Sequence, residues 1–296
     1  MEGWVWAALL AATFQTGRFA LQRRLAGTGL TATGATYARF LWSAPLATLG
    51  ALLWARATGQ GLPAPTPAFL GYAAMGGLAQ VLATVAAVTL LGRRRFAVGA
   101  TLIKTEVLLT ALVGLVLLAE RLEPGLVAAI ALGVVGLVVL APPPEAPGRH
   151  MAGGAALGLL AGLLFAVSAV SYRGAALSLP EGGPLLRAVV TLAVVTGLQA
   201  AGMTLWMALR DRGEIGRVAR RWRATGPVGL LSVAGSSCWF AAFAMQSAAL
   251  VKAVGQVEIL LSLLVGRLAF GERPGGRELA GIALLGASIL GVVLLG

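Results

Sequence analysis

The chain has 296 residues, 58% of them hydrophobic and only 11% charged, with a mean hydropathy of +0.87. A soluble domain needs about 25% charged residues to cover its wet surface, so a soluble enzyme, a nucleic-acid-binding protein and a secreted module are excluded. The formal net charge of +12 comes from 23 Lys+Arg against 11 Asp+Glu, and membrane topology accounts for it without nucleic acid. A single cysteine, Cys238, and a single histidine, His150, supply neither a disulfide framework nor a Cys/His metal site. No metal or cofactor is expected.

About ten apolar stretches are long enough to cross a bilayer, which takes roughly 20 residues each. In chain order they are 3–22, 33–55, 68–91, 96–118, 124–141, 152–172, 184–208, 226–247, 252–270 and 277–295. Their apolar runs are continuous and do not alternate, which predicts helices rather than barrel strands. Met1-Glu2-Gly3-Trp4 lacks a basic n-region, so the first stretch reads as a retained transmembrane helix. Turn chemistry marks the breaks: Gly27-Thr28-Gly29, Pro63 to Pro67, Pro142-Pro143-Pro144, Pro180 to Pro184 and Pro274-Gly275-Gly276. The segment 142–151 reads as a linker between five spans in 1–141 and five in 152–296.

An internal repeat supports that division. Glu106 to Gly114 followed by Glu120-Arg121 matches Glu258 to Gly266 followed by Glu272-Arg273, both at an offset of 152, with 8 of 16 positions identical. Five is odd, so the second half must enter the membrane from the opposite side. The predicted fold is therefore an all-α polytopic membrane protein, ten transmembrane helices built as two five-helix inverted-topology repeats. In this architecture a binding site lies between the halves near the midplane. The loops after odd-numbered spans hold 14 basic residues and those after even-numbered spans hold 4. The positive-inside rule then puts both termini outside the cytoplasm, in a multi-pass protein of the cytoplasmic (inner) membrane.

These features resemble the drug/metabolite transporter superfamily, in particular its ten-helix EamA-type members. The resemblance rests on the duplicated halves, the endings Ala119-Glu120-Arg121-Leu122 and Gly271-Glu272-Arg273-Pro274, the Gly/Ala-rich spans that follow each, and Arg39-Phe40 in span 2. It implies an exporter of amino acids, metabolites or toxic compounds, with a central cavity lined by spans 1, 3, 4, 6, 8 and 9. It also implies cytoplasmic termini, opposite to the charge count.

A charge at the centre of a transmembrane helix costs about 2.5–3.5 kcal/mol on insertion scales, so each such residue calls for a reason. Glu106 and Glu258 lie mid-span as repeat mates, each followed on its face by small residues, Thr110 and Gly114 or Ser262 and Gly266. Two readings stand: a pair of cavity carboxylates, or structural ion pairs such as Glu258 with Lys104 across the halves. Lys104 is two residues from Glu106, so on a regular helix they face different sides and each needs a partner elsewhere. Arg39 and Arg187 read as snorkelling to the headgroups. Arg18, after Gln15-Thr16-Gly17 on a helix that the resemblance places at the cavity, reads as a site residue together with Gln15.

Trp4, Trp6, Trp54, Trp206 and Trp222 lie near span ends and read as interfacial anchors. Trp239 is mid-span beside Ser236, where it either meets a flat or cationic substrate or packs in the core. Gln80, Thr84 and Gln256 are further polar candidates. Glycines in spans 6 and 10 read as close helix packing, with a monomer or a homodimer both open.

The predicted function is secondary-active transport, by alternating access, of a small polar or amphipathic metabolite, as an exporter and with proton coupling through Glu106 and Glu258. The small-molecule substrate and the lipid bilayer are the expected partners. A membrane-embedded lipid-modifying enzyme or a non-transporting scaffold are the alternatives. Catalysis is not expected, because no Asp-rich or His-rich cluster is present. No Gly-xxxx-Gly-Lys-Ser/Thr motif occurs, so transport would run on gradients.

Overall fold

The structure, a computed structural model, describes residues 2–26, 29–91, 103–140, 149–261 and 275–295. Among them it is all-helical. The helices are α1 (Gly3–Ala26), α2 (Ala32–Thr58), α3 (Pro67–Leu91), α4 (Glu106–Leu118), α5 (Pro124–Leu140), α6 (Arg149–Leu177), α7 (Pro184–Arg210), α8 (Arg212–Arg220), α9 (Trp222–Met245), α10 (Ala248–Gly255) and α11 (Gly276–Leu295). Local chemistry sets their ends. Thr31 is extended and accepts the Gly34 N–H to start α2, and Gly59 stops it with a φ of +65° that a side chain would oppose. Proline opens α3, α5 and α7, where its missing N–H costs nothing.

Four helices, at Pro67–Leu90, Ala156–Leu177, Pro184–Arg210 and Trp222–Met245, are long and apolar enough to cross a membrane. Glu106–Leu118, Pro124–Val139 and Leu279–Leu295 are shorter apolar helices. Large apolar side chains face outward, with Val116 80% and Leu294 82% exposed. A monomeric soluble protein does not expose such a surface, whereas a membrane-embedded one does. α1 and α2 are as long as the other four but carry polar side chains inward, which lowers their mean hydropathy.

Three expectations are corrected here. The ninth span is not one helix from 252: α10 starts at Ala248, ends at Gly255, and gives way to a turn at Gln256 before helix resumes over 257–261. Span 4 carries a matching turn at Lys104 and Thr105. The offset between Lys104 and Gln256 is the repeat offset, 152, so both halves break their helix in the same register, just before the glutamate. The loop at 209–223 contains a helix, α8. Asp211 accepts the Glu214 N–H at its start, and the buried Glu214 carboxylate accepts the N–H and hydroxyl of Thr31 at 2.8 and 2.9 Å. Trp4 is no interfacial anchor; it is buried and its indole N–H donates to Glu2 at 2.6 Å. Trp6, Trp54, Trp206 and Trp222 are exposed. Ser262, Gly266, Glu272, Arg273 and the proline run 142–144 lie outside the described residues.

Helix packing follows a pattern. α3 packs on α6 as α1 packs on α9, α2 on α9 as α3 on α7, and α4 on α6 as α1 on α10. α2–α7, α5–α11 and α4–α10 pack as pairs of repeat counterparts. Exchanging each span for its counterpart therefore maps these contacts onto one another. The connections segregate too: the one before α2 meets α8 through Thr31 and Glu214, while Thr66 before α3 donates to Ser178 after α6. The span-10 glycines are used within the chain, Gly281 and Gly291 packing on Gly136 and Ala129 of α5.

The α2–α9 contact is closest at Gly229, where an added Cβ would lie 2.3 Å from the Trp42 Cβ and 3.2 Å from its backbone carbon. Overpacking of this kind costs about 1–3 kcal/mol. Gly229→Ala should lower the unfolding temperature in detergent, whereas Gly202→Ala, with open space around it, should leave it unchanged or raised.

Candidate functional site

Glu106 and Glu258 both follow the two helix breaks. Glu106 stands in the first turn of α4, where the Val107 and Leu109 N–H groups bond to the carbonyls of Lys104 and Thr105. Each glutamate then takes its cation from the other half of the chain. Lys104 Nζ lies 3.1 Å from Glu258 Oε2, and Lys252 Nζ lies 3.6 Å from Glu106 Oε1. The four groups are shielded, none more than 20% exposed. The two pairs cross between α4 and the region around α10, which pack as repeat counterparts.

Around them lies a cavity of about 250 Å³. Gln15 on α1 donates to Glu258 at 2.8 Å and accepts the Trp239 indole N–H at 3.1 Å. Lys252 stands 4.8 Å above the Trp239 ring, and Trp239 stacks on Phe243 at 5.7 Å. The far edge of that ring reaches Gly255, where an added Cβ would lie 2.3 Å away. The glycine that ends α10 thus leaves room for the tryptophan. On α6, Phe165, Ser168 and Tyr172 share one face and line the same cavity, with Tyr172 stacked on Phe240 at 4.4 Å.

Arg39 does not snorkel. It is buried in the cavity wall, donating to Ser232 Oγ at 3.0 Å and to Thr84 Oγ1 at 3.1 Å. With the amide oxygen of Gln80 facing it, Gln80 accepts from both terminal nitrogens at 3.0 and 3.2 Å and donates to Ser168 at 2.6 Å. Polar partners on α3 and α9 replace the headgroups. Arg187 is half-buried near the start of α7, and its Nε is shielded with no hydrogen-bond partner among the described residues. Arg18 is buried behind the wall, donating to Gln22 at 2.7 Å over the Phe19 ring. Toward the other end of α4, Glu120 pairs with Arg173, which also donates to the carbonyls of Phe243 at 2.9 Å and Gln246 at 2.7 Å.

Of the predicted site residues, Glu106, Glu258, Lys104, Gln15, Gln80, Ser236 and Trp239 line this one cavity, and Arg18 stands next to it. Gln256 does not. It occupies the turn itself, and its amide points toward Gly133 and Ser288 between α5 and α11, where neither amide atom nor the Ser288 hydroxyl has a partner among the described residues. Sequence reasoning missed Ser168, Tyr172 and Phe243 as wall residues. Their helical spacing was visible, but spacing alone does not separate a cavity wall from a packed core.

No protein-family profile and no curated protein matches the chain. Its fold is similar to a solved structure described as "Crystal structure of protein", with a TM-score of 0.63 and 22% identity over 97% of this chain and 99% of the other. That likeness concerns the fold alone.

Removing one member of a buried ion pair strands the other, a cost of about 3–5 kcal/mol. Lys104→Met and Glu258→Gln should each lower stability in detergent, and the double variant should lose less than the sum. A coupling of about 1–3 kcal/mol is expected for groups in contact, and additive losses would contradict the pair.

Proposed function

We propose that the chain is a ten-span secondary-active transporter of the drug/metabolite type, built as two inverted five-helix repeats, 1–141 and 152–296. The observation that carries this reading is the crossed pairing of Lys104 with Glu258 and Lys252 with Glu106 around one cavity. Ionisable groups inside a membrane protein are costly and mark substrate or ion pathways. Here every pair joins the two halves, so any rocking of one half against the other must break or remake both pairs. The helix breaks beside both glutamates fit the discontinuous helices of inverted-repeat transporters. The exchangeable packing pattern and the two segregated sets of connections support ten alternating crossings.

In this reading the paired state is occluded. A proton on Glu258 cancels its attraction for Lys104 and leaves the ammonium free for a substrate group. Deprotonation on the opposite side restores the pair and expels the substrate. Direction follows the gradient, and the protein exports a small polar or amphipathic metabolite across the cytoplasmic membrane. The arginine-rich set of connections faces the cytoplasm, with both termini on the other side.

Cells that overproduce the wild-type chain should show a changed extracellular level of at least one metabolite relative to cells that overproduce Glu258→Gln at equal membrane abundance. In proteoliposomes, uptake of that metabolite driven by a pH gradient should be lost in Glu258→Gln, while exchange at equal pH persists. Indistinguishable metabolite profiles, or a folded variant with full gradient-driven uptake, would overturn the respective claims.

A further inference from the structure

Two buried arginines remain that the crossed pairs do not use. Arg18 and Arg39 are 3% and 7% exposed. Among the described residues neither forms an ion pair with a carboxylate. Their partners are neutral: Gln22 for Arg18, and Ser232, Thr84 and Gln80 for Arg39. A guanidinium stays charged at any working pH and presents a planar fork of donors. The two lysines and two glutamates of the cavity cancel, so the arginines leave this interior with an excess of two positive charges. Neutral dipoles alone offset a buried charge poorly.

Position adds to charge. Arg18 is eight residues before the end of α1 and Arg39 seven residues after the start of α2, about 10–12 Å inward at 1.5 Å per residue. Both stand toward the end of the molecule where Thr31 meets α8. Ser232, Thr84 and Gln80 take four of the five Arg39 N–H groups and hold the guanidinium in place before any ligand arrives, leaving one terminal N–H and the full charge for an anion. One turn along α6 from Ser168, the stacked Tyr172 and Phe240 rings offer an apolar face to the same cavity.

We infer that Arg39, backed by Arg18, is an anion subsite, and that the molecule taken by the cavity is an amphipathic organic carboxylate. The carboxylate meets Arg39 and its apolar body lies on Tyr172 and Phe240. This inference rests on the reading of the cavity as a substrate site, but not on transport.

The test uses the purified full-length protein in detergent and three probes with one carbon body: 3-phenylpropionate, 3-phenylpropan-1-ol and 3-phenylpropylamine. Saturable binding is followed by the shift in unfolding temperature. The carboxylate should bind at least tenfold more tightly than the alcohol, with the amine weakest. Arg39→Gln should abolish that preference, Arg39→Lys should keep part of it, and Arg18→Gln should reduce it. Equal binding of the three probes, no saturable binding of any, or a preference that survives in folded Arg39→Gln would overturn the proposal. Should Arg39→Gln fail to fold, the probe series on the unaltered protein decides alone. Carboxylate binding without flux in proteoliposomes would support the subsite while overturning transport.

Discussion

Four ionisable side chains share one interior, and the cost of placing them there organises the rest of the molecule. A carboxylate out of water needs hydrogen-bond donors and a counter-charge. Glu106 takes its counter-charge from Lys252. Glu258 takes Lys104 and Gln15. Because each lysine is contributed by the opposite half, neither half can satisfy its own glutamate. Packing of α4 against α10 is therefore an electrostatic requirement as well as an apolar one.

The cavity wall follows from that arrangement. Gln15 links Glu258 to the Trp239 indole, and Lys252 lies over the Trp239 face, so the tryptophan is held at its edge and its face by the charged cluster. Gly255 then has to be small, because the ring fills the space a side chain would take. Further along, Arg39 is fixed by three neutral partners from α3 and α9, and Arg173 ties α6 to Glu120 and to the end of α9. The interior thus runs from an electropositive end, through a charge-balanced middle, to a second ion pair.

Much of this was legible before any coordinates. Leucine matches mean little in an apolar chain, but polar residues repeated at one offset single out Glu106 and Glu258, and the two-residue offset between Lys104 and Glu106 sends Lys104 to a partner elsewhere. The helix breaks were not legible, because Lys104-Thr105 and Gly255-Gln256 contain no proline and sit inside apolar runs. That same break turned Gln256 away from the cavity, since a turn residue does not continue the helical face. Arg39 was misread because distance from a span end says nothing about polar partners on neighbouring helices. Trp4, also near a span end, is buried and donates to the adjacent Glu2 rather than to an interface. Glu214 lies among arginines between two apolar stretches, and nothing in the sequence marks Thr31 as the partner that anchors α8 through its carboxylate.

Alternating exposure of the cavity is the central claim, and thiol accessibility measures it directly. With the single cysteine removed as Cys238→Ala, Ser236→Cys places one thiol in the cavity wall. A membrane-impermeant maleimide is then added to one face or the other of sealed, oriented vesicles. The account predicts labelling from either face, at rates that shift in opposite directions when the pH gradient is reversed. Labelling confined to one face under every gradient, or equal and gradient-independent labelling from both, would contradict it.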